Sequence, residues 1–170
     1  LESSNYKIAY TDASRARKIK QGGKFRTVSR DVPFSIDFDP EYLLVRNYIH
    51  ILSLMHEKDL INECGDFDET LQSNEEWDLQ LRFARKYEFL HIGKVTCEYT
   101  FKIENTEKSI SYIENTIETL NRVYEATDDM IQGKPELSIE RKKFRNRLIN
   151  EVNELLQEQY QALAVEEFTK

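Results

Sequence analysis

With 170 residues and a mass of 20.2 kDa, the chain has the size of one ordinary domain, enough to bury a core and too short for two full domains. A 39% hydrophobic and 11% aromatic content excludes a disordered chain, and a formal net charge of −7 repels polyanions at long range, which argues against nucleic acid as a partner. No apolar run approaches the roughly 20 residues that cross a bilayer and no charged-then-apolar leader opens the chain, so no transmembrane segment is expected.

Taken in chain order, Tyr6 to Asp12 alternates ring and aliphatic residues with small or polar ones, which predicts a short strand. Gly22-Gly23 between SRARKIKQ and KFRTVSRD predicts a two-stranded ribbon, because a glycine pair supplies the positive φ angles of a tight hairpin. Asp39-Pro40 marks a helix start running to about Val45: the carboxylate can accept from a first-turn amide, and Pro at the first position sacrifices no needed donor. Tyr48 to Met55 is a nearly continuous apolar run and predicts a core strand buried on both faces. Glu57 to Cys64 predicts a short helix stopped by Gly65, followed by a polar loop. Ser73 and Glu76 have capping-box spacing, and Glu75 to Tyr87 places Trp77, Leu81 and Ala84 on one helical stripe. Short strands over Phe89 to Ile92 and Val95 to Phe101 follow, around Gly93.

Beyond Lys102 the period changes. Ile110, Ile113, Ile117, Leu120 and Tyr124 form one helical seam, and Phe144, Leu148, Val152, Leu155 and Gln159 nearly repeat it, with Gly133 and Pro135 between. The fold class expected is therefore α/β over residues 1–104 with a helical hairpin over 105–170. Cys64 and Cys97 lack CxxC spacing, so neither a disulfide framework nor zinc is indicated and a reducing compartment is expected. The chain opens on Leu1 rather than Met, and either processing or a start inside a longer reading frame is expected.

Acidic residues crowd one stretch: Asp66, Asp68, Glu69, Glu75, Glu76 and Asp78. A carboxylate at the mouth of a site can act as general base toward a hydroxyl, yet acids also favour a helix's first turn, and by spacing Glu76 fits capping as well as catalysis. Asp37-Phe38-Asp39 and Asp66-Phe67-Asp68 are D-x-D strings, but the first leads into the helix cap and the second belongs to the loop, so neither is assigned a metal. His56 and His91 flank the expected strands and read as surface or packing residues.

In order, the chain shows Asn47 before the apolar run, Gly65-Asp66-Phe67-Asp68-Glu69, Glu75-Glu76-Trp77-Asp78-Leu79-Gln80-Leu81-Arg82, Phe89-Leu90-His91-Ile92-Gly93 and Cys97-Glu98-Tyr99-Thr100. This set, spanning Tyr6 to Phe101, resembles the C-terminal, acceptor-side part of family 2 glycosyltransferases of the inverting GT-A class, with their G-G-F-D-E loop, E-D-W-D-L-x-L-R helix and A-E-Y-R ending. The resemblance implies a partial GT-A fold with a short mixed sheet. It also implies a nucleotide sugar and a carbohydrate acceptor, either a glycan or a cell-surface polysaccharide, as partners, and a cytoplasmic site of action at the inner face of the membrane. Glu76 takes the place of the family's catalytic base, one methylene longer than the usual Asp. Glu75 is its neighbour, Trp77 and Asp78 support the helix, Arg82 is structural or faces phosphate, and Asp66 and Asp68 border the acceptor. The family's nucleotide-binding half, whose carboxylates hold a divalent Mn or Mg ion, has no counterpart here, so no cofactor is expected in this chain and the chain by itself is expected to be inactive.

A second reading is a non-catalytic interaction module assembling through its C-terminal helices. In either case the apolar Tyr48 to Met55 run needs cover from the helical hairpin or a second copy, and a homodimer is the expectation.

Overall fold

The structure, a computed structural model, describes residues 5–103 and 107–168. Its class is α/β. Two compact units are present, one formed by residues up to Thr70 with Asn74–Ile103, the other by Leu71–Ser73 with the C-terminal helices. The expected boundary at 104/105 lies outside the described residues.

The first unit is built on β1 (Ile8–Gln21), which merges the expected first strand with the first arm of the ribbon. β2 (Lys24–Asp31) returns antiparallel after Gly22 (φ 59°) and Gly23 (φ 78°), the two consecutive positive φ angles that a tight two-residue hairpin requires. α1 (Pro40–Val45) starts as its sequence predicts, with the Asp39 carboxylate accepting from Tyr42 N–H at 2.9 Å and Pro40 in the first turn. β3 (Leu54–His56) pairs antiparallel with Ile8–Tyr10, and β4 (Phe89–Ile103) runs parallel to β1 along its whole length. The sheet is therefore mixed. β1 is its central strand, and Ile8, Ala9, Tyr10, Ala13 and Ala16 are buried along it.

The Tyr48 to Met55 expectation is corrected here. Tyr48 and Ile49 are buried but irregular, Ile51–Ser53 is a 3₁₀ turn, and only Leu54–His56 is strand, with Leu52 61% and Met55 54% exposed. The cause is local. His50 Nδ1 accepts from Leu52 N–H at 3.2 Å and Ser53 Oγ donates to His50 O at 2.8 Å, bonds that favour a turn over a ladder. Tyr48 instead joins an aromatic group with Tyr10, Phe34 and Tyr42. The two short strands expected around Gly93 are one strand whose register to β1 slips between Thr11 and Ala13, leaving Gly93, Lys94 and Thr96 as extra residues on β4.

α2 (Asp59–Cys64) ends at Gly65, whose φ of 85° and ψ of 164° lie where glycine is nearly alone. α3 (Glu75–Ala84) buries Trp77, Leu79, Gln80, Leu81 and Phe83, with Phe83 rather than Ala84 completing the inward stripe. The expected capping box does not start this helix: Asn74, at φ 53°, takes the N-cap position without a side-chain cap bond, one residue after Ser73.

In the second unit, α4 (Glu107–Ala126) and α5 (Pro135–Phe168) are joined through a 3₁₀ turn at Asp128–Ile131. Ile110, Ile113 and Val152 pack with Ile117, Leu148 and Leu155, as the spacing predicts, while Gln159 lies on α5 with its side chain outside those described. Buried Arg141 clamps the end of α4, stacking 4.5 Å over the Tyr124 ring and donating to Thr127 Oγ1 at 2.7 Å and to Tyr124 O at 3.2 Å.

Candidate functional site

The first turn of α3 holds most of the expected site. Trp77 Nε1 donates to Leu43 O at 2.8 Å and Gln80 Nε2 to Ile49 O at 3.0 Å, so two buried bonds tie the helix to α1 and to the segment that follows it. That anchoring sets Glu76 against Asn47, whose Nδ2 donates to Glu76 Oε1 at 2.8 Å and also lies 3.3 Å from Asn74 Oδ1. Glu76 is half-buried. Burial pushes its carboxyl above the ordinary carboxylate range, against the opposing pull of its own backbone N–H and of Asn47, with the nearby Glu75 charge adding to the rise. Asn47 Oδ1 is buried with no partner. The resulting group is a carboxylate with raised proton affinity, fixed from one side by an amide, which suits accepting a proton from a hydroxyl.

The other expected residues divide by location. Glu75 is exposed beside Glu76 and Trp77 is a buried anchor. Asp78 accepts from Arg82 Nε at 2.9 Å, and Arg82 reaches across to Cys64 O and, at 2.7 Å, to Asp66 O. Arg82 thus ties α3 to the end of α2 and the loop, and it turns toward carbonyls rather than open solvent. A Cβ on Gly65 would stand 2.9 Å from Arg82 Nη1, a second reason for glycine at that position. Asp66 is exposed and its Oδ1 accepts from Phe67 N–H, while Asp68 Oδ1 accepts from Thr70 N–H at 2.9 Å and from Thr70 Oγ1 at 2.6 Å. These are turn-forming bonds. Among the described residues no group of three or more His, Cys, Asp or Glu side chains is arranged to hold a metal ion, and in the first D-x-D string Asp39 caps α1 while Asp37 faces a histidine.

That histidine belongs to a cluster that sequence reasoning passed over. His91 Nε2 lies 2.8 Å from Asp12 Oδ1 and Nδ1 lies 3.0 Å from Asp37 Oδ1; Ser35 Oγ donates to Asp12 Oδ2 at 2.8 Å, and the Tyr10 ring stacks on the imidazole at 4.9 Å. Asp12 sits at the register slip between β1 and β4, and His91 lies beside it across the parallel pair. A groove of about 620 Å³, lined by Tyr6, Asp37, Phe38, Tyr87, Phe89 and His91, opens next to the cluster. The sequence signal available was a charged residue inside the first strand pattern; nothing local links it to a histidine 79 positions later.

No protein-family model matches the chain, and a search of curated proteins gives no match. No helix among the described residues is long and apolar enough to cross a membrane.

Proposed function

We propose that the chain is the acceptor-side part of an inverting nucleotide-sugar glycosyltransferase of the GT-A class. Glu76 is the base: it takes the proton of an acceptor hydroxyl whose oxygen bonds to the anomeric carbon of the sugar, as the nucleoside diphosphate leaves with the electrons of the broken bond. The observation that carries this reading is the Glu76–Asn47 pair, a half-buried carboxylate of raised pKa held at 2.8 Å on an anchored helix start, at the position where the ordered motifs resemble the family's catalytic acid. Asp66, Asp68 and Glu75 border the acceptor, Trp77 and Asp78 keep α3 in place, and the donor and its metal are held by residues outside those described. The protein acts in the cytoplasm on a glycan or cell-surface acceptor.

The test is to incubate the protein, in its full reading frame, with a panel of UDP-, GDP- and dTDP-sugars and a carbohydrate acceptor, and to read the anomeric configuration of the product by NMR. Transfer with inversion is expected. Transfer with retention contradicts the reading, and so does no transfer from any donor. The second result would favour the alternative, a non-catalytic module that assembles, as a homodimer, through its C-terminal helices. Exposed Tyr112 and Ile139 on α4 and α5 favour that alternative.

A further inference from the structure

Although the whole chain carries −7, residues 16–30 contain six basic side chains and no acidic one: Arg17, Lys18, Lys20, Lys24, Arg26 and Arg30. They lie on the β1–β2 hairpin, whose second arm is exposed from Lys24 to Arg30. Near the base of the hairpin the charges are compensated, with Arg15 and Arg17 against Asp31 and Arg30 against Glu98. Toward the tip they are not. Among the described residues no carboxylate pairs with Lys18, Lys20, Lys24 or Arg26, and the register sets Lys20 opposite Phe25 and Lys18 opposite Lys102. Two apolar side chains stand among these cations, Phe25 at 37% and Val28 at 52% exposure.

Basic residues on an edge strand also deter strand-to-strand aggregation, which accounts for Lys24 and Arg26 on β2. It does not account for Phe25 and Val28, which an aggregation-averse edge would not display. We propose that the tip of the β1–β2 hairpin is a docking surface for an anionic lipid bilayer, with Lys18, Lys20, Lys24 and Arg26 meeting the headgroups and Phe25 and Val28 entering the interface. Cations beside exposed apolar groups fit a surface that is charged outside and apolar just beneath. A single-stranded nucleic acid fits less well, because base stacking needs an open ring face and Lys102 Nζ already sits 4.8 Å over the Phe25 ring. This surface stands on charge and exposure and is independent of the glycosyltransferase reading.

Vesicle flotation of the 170-residue chain tests it. Binding is expected to phosphatidylcholine vesicles containing about a third phosphatidylserine, not to pure phosphatidylcholine, and is expected to weaken as salt shortens the reach of the charges. Reversing Lys20, Lys24 and Arg26 to Glu is expected to reduce binding on the order of 10²-fold. The Phe25→Ser variant is expected to bind several-fold more weakly and to lose its residual binding at lower salt. Lys142→Glu with Arg147→Glu, on the exposed side of α5, serves as the control and is expected to leave binding unchanged, with circular dichroism confirming that every variant is folded. Equal binding to neutral and anionic vesicles, no binding at all, or equal loss in the α5 control overturns the proposal. Binding to single-stranded DNA without vesicle binding overturns it in favour of a nucleic-acid surface.

Discussion

At His91 both ring nitrogens face carboxylates, Asp12 at 2.8 Å and Asp37 at 3.0 Å. A neutral imidazole carries one N–H and satisfies one of them; the imidazolium donates to both. Burial of the ring works against the charge, but the hydrogen bonds and charges of Asp12 and Asp37 outweigh it, and the pKa stands above its ordinary 6.5. The stabilisation this gives is fully present below the unfolded-state value and is lost as pH rises through the higher folded-state value, so the loss begins near pH 6.5 and continues above it. Thermal unfolding of the wild-type chain between pH 6 and 8.5 is expected to show a midpoint falling across that range, and His91→Gln is expected to flatten the fall. An unchanged slope in the variant would mean that another group sets the dependence. Asp12 matters more than Asp37 here, because the Asp37 side chain is fully exposed and water competes for it.

The elements that local chemistry determines were readable from the chain. Gly22-Gly23, the Asp39-Pro40 start of α1, the Gly65 stop of α2 and the 3-and-4 spacing of α4 all act within a few residues, and the structure follows them. The Tyr48 to Met55 run shows where such reading stops. Its hydrophobicity marked burial correctly at Tyr48 and Ile49, but the His50 and Ser53 bonds to backbone turned the remainder into a 3₁₀ step that no periodicity records. The candidate residues show the same divide. Glu76 was singled out because a motif surrounds it, whereas the Asp12–His91 pair depends on a parallel register and its slip, a pairing that the sequence states nowhere locally. Gly65 is the sharpest element-scale test. Gly65→Ala forces a Cβ into a backbone region that L-residues rarely occupy and against Arg82, so urea unfolding is expected to show a loss of about 1–3 kcal/mol. A loss under a few tenths of a kcal/mol would mean that α2 and the loop readjust freely around Arg82.

Across the whole molecule, an α/β unit with an anchored acidic helix start, a basic hairpin and a separate helical unit share one chain. In the proposed function Glu76 is kept for chemistry at some cost to the fold. A carboxyl whose pKa is raised in the folded state favours folding most below its unfolded value near 4.5 and loses that advantage as pH rises through the folded value, so at neutral pH the charged form is a burden. Gln at this position keeps the length and an oxygen for Asn47 Nδ2 while removing both the charge and the base. The most direct measurement therefore pairs turnover with thermal unfolding at pH 7 for Glu76→Gln in the full-length protein. For this variant kcat is expected to fall on the order of 10²-fold or more, with an unfolding midpoint equal to or above that of the wild type. Full turnover together with a lowered midpoint would contradict it and leave Glu76 a purely structural residue.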